Sequence, residues 1–316
     1  MSNYFSKPVL IALDWGSTRF RGWLLDSIGN EIDSIDEELG ILKINKSKYL
    51  NVFEELLGSW IEEHGGLPVI ASGMIGSQQG WVEAPYLSCP AGPDSLAEHL
   101  TYVNINSNIP NSSPSMAIVP GIKRLEKGVP DVMRGEETQV AGLIWSQHQS
   151  GLCVLPGTHS KWVFINDYRI ETFTTFMSGE LFAVMVEHSI LNRLMDGNNF
   201  NKDAFLIGCN QSLNSSYGIL KQIFSVRTMG LFEKVEPKGI HSYLSGIIIG
   251  YEIKEGLDIY FKNKSIKEKE VILIGEIYLC NLYRLAFEIA GVKVKLVKNN
   301  LVAKGLLHIA KTASFI

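Results

Sequence analysis

Asp14, Gly16, Ser17 and Thr18 crowd one corner of the stretch "IALDWGSTRFRGWLL", where an apolar run ends and a second begins. A glycine turn lets backbone N–H groups close on a phosphate, and a carboxylate beside such a cradle holds Mg²⁺ directly or through water. Alone, the corner reads equally well as a hairpin turn with a solvated aspartate. It gains weight from "VLPGTHSKWVFI", where Gly157, Thr158 and His159 again follow an apolar strand and precede another containing Trp. The two corners lie about 140 residues apart, a spacing that suits a duplicated domain better than a solenoid repeat. Two facing phosphate turns would let a cleft grip a nucleotide. The spacing G-x-x-x-x-G-K-[ST] does not occur, and neither corner has G-x-G-x-x-G or opens a helix, so the P-loop and dinucleotide-fold routes to a phosphate site are excluded.

The elements that must position these corners follow from periodicity. "PVLIALDW" and the residues after Thr18 read as a hairpin, and "SKYLNVFEELLGSWIEEHGG" as an amphipathic helix. In that helix Tyr49, Leu50, Phe53, Leu56, Leu57, Trp60 and Ile61 share a face, Ser47 is a candidate N-cap and Gly65 the stop. A strand "PVIASGM", a Gly- and aromatic-rich loop from Gly76 to Pro93, a helix at "DSLAEHL", a polar Asn/Ser/Pro-rich surface loop and a strand "SMAIVPGI" come next. Beyond the second corner the pattern predicts helices over 179–194 and 239–261, a buried strand "VILIG", a helix at "IYLCNLYRLAFEIAG", a strand "VKVKLV" and a last helix from Asn300. The expected fold is α/β with two similar lobes of mixed sheet covered by helices and a cleft between them. The expected division is 1–130 and 131–299, with 300–316 packing back on the first lobe.

Bulk properties narrow the class. The chain has 316 residues, 46% of them hydrophobic, 20% charged, and a net charge of −4, which suits a packed enzyme and argues against nucleic-acid binding. Cys89, Cys153, Cys209 and Cys280 are scattered, without the close pairs of a zinc or redox site, and read as reduced thiols of a cytoplasmic protein. No apolar run approaches the ~20 residues a membrane helix needs. The pattern leaves monomer and homodimer both open.

The motifs also carry a resemblance. "IALDWGSTRFRGWL", "VLPGTHSKWV" and "VILIGEIYLCNLY" resemble the two phosphate motifs and the adenosine motif of the sugar-kinase, actin and heat-shock-chaperone ATPase superfamily. With "GMIGSQQGWVEAPYLSCPA", "VMRGEETQ" and "MSGEL" in that order, the chain is similar to the 2-dehydro-3-deoxygalactonokinase family. A mild departure is Glu276, where the adenosine motif more often has a small residue.

The resemblance implies ATP- and Mg²⁺-dependent phosphorylation of the C6 hydroxyl of a 2-keto-3-deoxy sugar acid. It implies Asp14 for the metal, Gly16, Ser17, Thr18, Gly157, Thr158 and His159 for the phosphates, and Gly275 for the adenosine. Lys161 is a weaker candidate, since strand alternation points it outward. The base falls to Glu136, directly after Gly135 at a helix start, with Glu137 as the rival and a helix-capping acid as the plain alternative. A carboxylate substrate calls for a planar guanidinium, and Arg134 and Arg21 are the candidates, ahead of Arg19. Ser77, Gln78 and Trp81 are expected along the sugar, Trp81 equally as a packing residue, and Ser178 and Glu180 near it.

Overall fold

The computed structural model describes residues 7–107, 109–110, 112–125, 128–262, 270–297 and 300–316. Positions 108 and 111 of the expected Asn/Ser/Pro-rich loop lie outside them. The chain forms two compact units, one of Met1–Ser150, Phe164–Phe173 and Asn299–Ile316, the other of Gly151–Val163 and Thr174–Lys298.

In the first unit, β1 (Pro8–Trp15), β2 (Phe20–Asp26), β3 (Glu31–Glu37), β4 (Val69–Ser72), β6 (Thr101–Asn104) and β7 (Ser115–Ile118) form one sheet in the order β3-β2-β1-β4-β7-β6. β1 and β2 are an antiparallel hairpin that sets Asp14 opposite Arg21, and β4 runs parallel to β1 with Ser72 beside Asp14. Leu10 through Leu13 are wholly buried, as an apolar strand covered on both faces should be. β3, "EIDSIDE", is the edge, and its acidic side chains oppose pairing with another sheet.

Helix α1 (Tyr49–His64) lays Tyr49, Phe53, Leu57, Trp60 and Ile61 into the core with β1 and β4. Its cap differs from the expected Ser47. A 3₁₀ turn over Lys46–Lys48 precedes it, and the Asn45 side chain accepts the Ser47 N–H.

The expected strand "SMAIVPGI" is two strands in two sheets. Pro120 has no N–H to give a ladder, and beyond it β8 (Gly121–Arg124) leaves for a small sheet with β5 (Tyr86–Ser88) and β9 (Asp131–Met133), in the order β5-β8-β9. The loop expected from Gly76 to Pro93 supplies β5.

Residues 131–150 belong to the first unit, where the sequence reading placed them in the second. The cause is α3 (Glu136–Trp145), which crosses α9 (Leu301–Thr312) with no room for side chains at the crossing. A Cβ on Gly142 would meet the Leu301 carbonyl at 2.0 Å, and one on Gly305 the Thr138 carbonyl at 1.8 Å. Helix α9 also packs on β1 and β4, behind Asp14 and Ser72.

In the second unit the sheet order is β12-β11-β10-β13-β14, from β10 (Gly151–Leu155), β11 (Ser160–Asn166), β12 (Arg169–Phe176), β13 (Glu270–Ile274) and β14 (Lys293–Val297). β13 runs parallel to both β10 and β14. Matched strand for strand, this repeats β3-β2-β1-β4-β7 of the first unit, which is the duplication that the two corners suggested. The helices are α4 (Ser178–His188), α5 (Lys202–Asn214), α6 (Ile219–Leu231), α7 (Pro237–Tyr260) and α8 (Ile277–Ile289). The helix expected over 179–194 ends at His188, because the Ser189 hydroxyl accepts the Leu191 N–H and starts a 3₁₀ turn.

Gly305→Ala should lower stability by about 3 kcal/mol, since the carbonyl it strikes belongs to a packed helix. Gly218→Ala, where an added Cβ meets open space, should change it by less than about 0.5 kcal/mol. Urea unfolding of the two variants checks both values.

Candidate active site

The first unit's corner is an inverted turn. The N–H groups of Gly40, Ile41 and Leu42 donate to the carbonyls of Thr18, Gly16 and Ser17. In a trans peptide the carbonyl and the following N–H point in opposite directions, so the Ser17, Thr18 and Arg19 N–H groups face away from residues 40–42. That is the geometry of a small anion cradle. Gly40 is required, because a Cβ there would lie 2.3 Å from the Ser17 carbonyl carbon.

Asp14 stands at the edge of this cradle. Its Oδ2 accepts from Arg21 Nη1 at 3.3 Å, and Arg21 also faces Asp36 at 3.9 Å, while Arg19 pairs with Asp36 at 2.9 Å. Burial raises the Asp14 pKa against the pull of Arg21, and the nearby Glu136 charge raises it further. Both expected arginine alternatives on β2 and its turn thus have aspartate neighbours, and the Arg21 side chain stays partly open to solvent.

Arg134 is differently placed. It is buried, Nη2 donates to the Ala84 carbonyl at 2.7 Å, Nε to the Tyr86 hydroxyl at 3.3 Å, and its guanidinium lies 4.2 Å from the Tyr86 ring centre. Its Nη1 is buried without a hydrogen-bond partner among the described residues, as is Ser77 Oγ. Nη1 lies 3.1 Å from where a Gly76 Cβ would stand, so the two orphaned groups flank one short turn. Buried polar atoms without partners are rare in folded proteins and point to a missing ligand or water.

The helix start next to Arg134 separates the two glutamates. Glu137 is fully buried, and both its oxygens accept the Gly135 N–H, at 2.9 and 2.7 Å. Burial, assisted by the Glu136 charge, pushes it up to about 8, so it is mostly protonated at neutral pH. Glu136 is half-buried, takes the Arg134 N–H on Oε2 at 3.1 Å, and is close enough to Asp14 for their charges to interact. Gly73 closes the group: a Cβ on it would meet Asp14 Oδ1 at 3.1 Å, and Gly135 abuts its Cα. Trp81 packs among Trp15, Tyr49 and Phe53, stacked on Tyr49 at 5.9 Å, so of its two expected roles the structure shows packing. Gln78 is exposed on the turn after Ser77.

In the second unit, Gly157 and Thr158 form the turn and α4 begins against it. The Glu180 N–H donates to the Thr158 carbonyl at 3.0 Å, and Gly179 lies so close that a Cβ would be 2.4 Å from the Gly157 carbonyl. His159 is half-exposed and paired through Nε2 with Glu180, which the sequence placed near the sugar or at a helix start and which lies in the first turn of α4. Lys161, expected outward, is buried and reaches back to the His159 carbonyl at 2.9 Å. Gly275, at φ +144°, sits against the Pro156 carbonyl, and Glu276 caps α8 by accepting the Tyr278 and Leu279 N–H groups.

Beside Gly157 lies a cavity of about 140 Å³ lined by Ser178, Phe182, Phe200, His241, Tyr278 and neighbouring aliphatic side chains. Ser178, expected at the sugar, is therefore part of this wall. Most of the aromatic lining escaped the sequence reading, because Phe182, Phe200 and His241 come from separate segments with no motif between them; Tyr278 and Tyr283 stand inside the adenosine motif.

The repeated strand order, with acids at the first unit's turn and an aromatic cavity beside the second's, is the α/β fold expected of a sugar kinase. The family model described as 2-keto-3-deoxy-galactonokinase matches residues 14–309. An Escherichia coli (strain K12) protein named 2-dehydro-3-deoxygalactonokinase is 34% identical over 284 residues, 90% of this chain and 91% of that one. A Sinorhizobium meliloti crystal structure, provisionally described as a 2-dehydro-3-deoxygalactonokinase, is 32% identical with a TM-score of 0.85 over 96% of this chain and 98% of that one. The chain belongs to the 2-keto-3-deoxy-galactonokinase family.

Glu137 makes stability depend on pH. Below its ordinary value of 4.5 both folded and unfolded chains hold the proton; between 4.5 and about 8 only the folded one does, so stability falls as pH rises and levels off beyond. Urea midpoints at about pH 5, 7 and 8.5 should decline in the wild type, and Glu137→Gln should remove this share of the decline, worth up to about 1.4 kcal/mol per pH unit.

Proposed function

We propose that the protein transfers the γ-phosphoryl group of ATP to the C6 hydroxyl of 2-dehydro-3-deoxy-D-galactonate. The observation that carries the substrate class is the orphaned pair, Arg134 Nη1 and Ser77 Oγ, beside the one solvent-reaching acid of the α3 start. A buried guanidinium with a free N–H calls for a carboxylate oxygen, and a free hydroxyl beside it for a polyol. The names of the relatives agree with a 2-keto-3-deoxy sugar acid as the acceptor.

Glu136 takes the proton from the C6 hydroxyl. A base must be ionised and reach its substrate, and Glu137, neutral and sealed, is neither. The Arg134 N–H holds the Glu136 carboxylate, so the residue that binds the acid end of the sugar also orients the base. The N–H groups after Gly16 and those of the Gly157 turn receive phosphate oxygens, with His159 beside them. The aromatic cavity next to Gly157 takes the adenine, and Gly275 keeps β13 close to that turn.

Among the described residues no group of three or more His, Cys, Asp or Glu side chains could hold a metal ion by itself. Asp14 nonetheless fits Mg²⁺, an ion usually held by one or two carboxylates together with substrate phosphates and water. The nearby Glu136 charge already raises the affinity of Asp14 for positive charge. When bound, Mg²⁺ supplies neutralisation of phosphate charge.

Glu136→Gln should keep ATP binding and lower kcat by about 10²- to 10⁴-fold; unchanged turnover would refute the base. Arg134→Lys should raise KM for the sugar acid about tenfold or more with little change for ATP, since a point charge replaces a planar fork. ADP release measured across 2-keto-3-deoxy sugar acids and plain hexoses tests the substrate, and hexose preference would overturn it.

A further inference from the structure

The second unit buries a carboxylate for which the proposed reaction has no use. Glu252 lies on α7 and is 2% exposed. Trp162 Nε1–H on β11 donates to its Oε1 at 2.8 Å, and the Tyr283 hydroxyl on α8 donates to its Oε2 at 2.5 Å. The hydroxyls of Ser178, at the start of α4, and of Ser160 also turn to it. For stability alone a well-packed apolar side chain serves as well as a buried charge. Burial raises the Glu252 pKa and the converging donors pull it down; with Trp162 and Tyr283 donating to its two oxygens, what the acid adds is direction.

That direction reaches the phosphate turn. Tyr283 gives its proton to Glu252, and its oxygen lies 2.9 Å from Ser160 Oγ. Ser160 therefore turns its own proton inward, toward Tyr283 and the carboxylate, and keeps a lone pair for the Gly157 N–H at 3.4 Å. Ser178, Tyr283 and Gly157 all line the aromatic cavity. One buried acid thus joins the floor of the cavity, the start of α4 and the Gly157 turn.

We infer that Glu252 is a positioning residue for the nucleotide, orienting through Tyr283 and Ser160 the Gly157 turn and through Ser178 the start of α4. The inference rests on the reading that the cavity beside Gly157 takes the nucleotide. Glutamine at 252 presents an N–H₂ where Tyr283 or Ser178 now donates, so one hydroxyl must reverse and the turn loses its fixed acceptor.

The experiment compares KM for ATP with KM for the sugar acid in Glu252→Gln, Ser160→Ala and Phe182→Ala, alongside thermal unfolding. Glu252→Gln should raise KM for ATP about tenfold and Ser160→Ala about fivefold, with KM for the sugar acid within about twofold of wild type. Ser160→Ala leaves Glu252 in place and removes the hydroxyl that joins Tyr283 to Gly157, so it decides the question even if Glu252→Gln does not fold. If Phe182→Ala raises KM for ATP while Glu252→Gln and Ser160→Ala leave it within about twofold, Glu252 is structural only and the inference falls. If Phe182→Ala also leaves it unchanged, the cavity reading fails and takes the inference with it.

Discussion

The first unit's chemistry depends on backbone approaching backbone along α3. At its start Gly135 lies against Gly73, and Gly73 against Asp14; seven residues on, Gly142 meets the Leu301 carbonyl; and Gly305 of α9 meets the Thr138 carbonyl. Packed interiors transmit strain instead of absorbing it, so α3 has little freedom to slide or roll. Because Glu136 is its first residue, the place of the proposed base follows from contacts that no larger residue could make. The Thr138 hydroxyl, 2.6 Å from the Gly135 carbonyl and 3.4 Å from Ser72 Oγ, ties the same turn to the end of β4.

The two units share a strand order and diverge in what they bury. In the first, the corner after β1 is bordered by ion pairs that reach solvent, and α1 seals the apolar side by packing Phe53 and Trp60 into the core with Trp15 of β1. In the second, the corner after β10 is backed by uncharged donors converging on one carboxylate, with Trp162 held between β11 and Gly256 of α7. On the proposed reading, the first must bring acid and guanidinium to a small polar substrate and needs partial hydration, and the second must hold an aromatic base and needs a dry wall with fixed donors.

Much of this was legible from the sequence where the signal is local. Asp14, the Gly16 and Gly157 turns and the Gly135–Glu136 helix start are short stretches whose residue types state their geometry, and the duplication showed in their order. What escaped is long-range. Strand alternation could not show that Lys161 folds back on His159, and nothing near Arg21 announces that Asp36, on the next strand, would claim it. Pro120 was visible, but its consequence, a chain changing sheets, depends on β5 lying where β8 needs a partner. Helices α5 and α6 carry Gly, Asn and Ser within their spans, which blurs the 3.6-residue period until α7 packs against them. The second lobe's expected boundary failed for the same reason: α3 belongs where α9, more than 150 residues later, comes back to meet it.

Charge balance explains why two adjacent glutamates at one helix start are not redundant. Asp14 and Asp36 face Arg19 and Arg21, while Glu137, beside the Arg134 charge, keeps its proton through burial. Ionising Glu137 would add a sealed negative charge beside Glu136 and raise the proton affinity of the base. A neutral Glu137 instead accepts the Gly135 N–H and holds the turn without competing for cations. The two acids differ by one position in sequence and by a wall of packing in space. That wall leaves Glu136 as the one with the access that the proposed proton removal requires, and it arises from the same glycine contacts that fix α3.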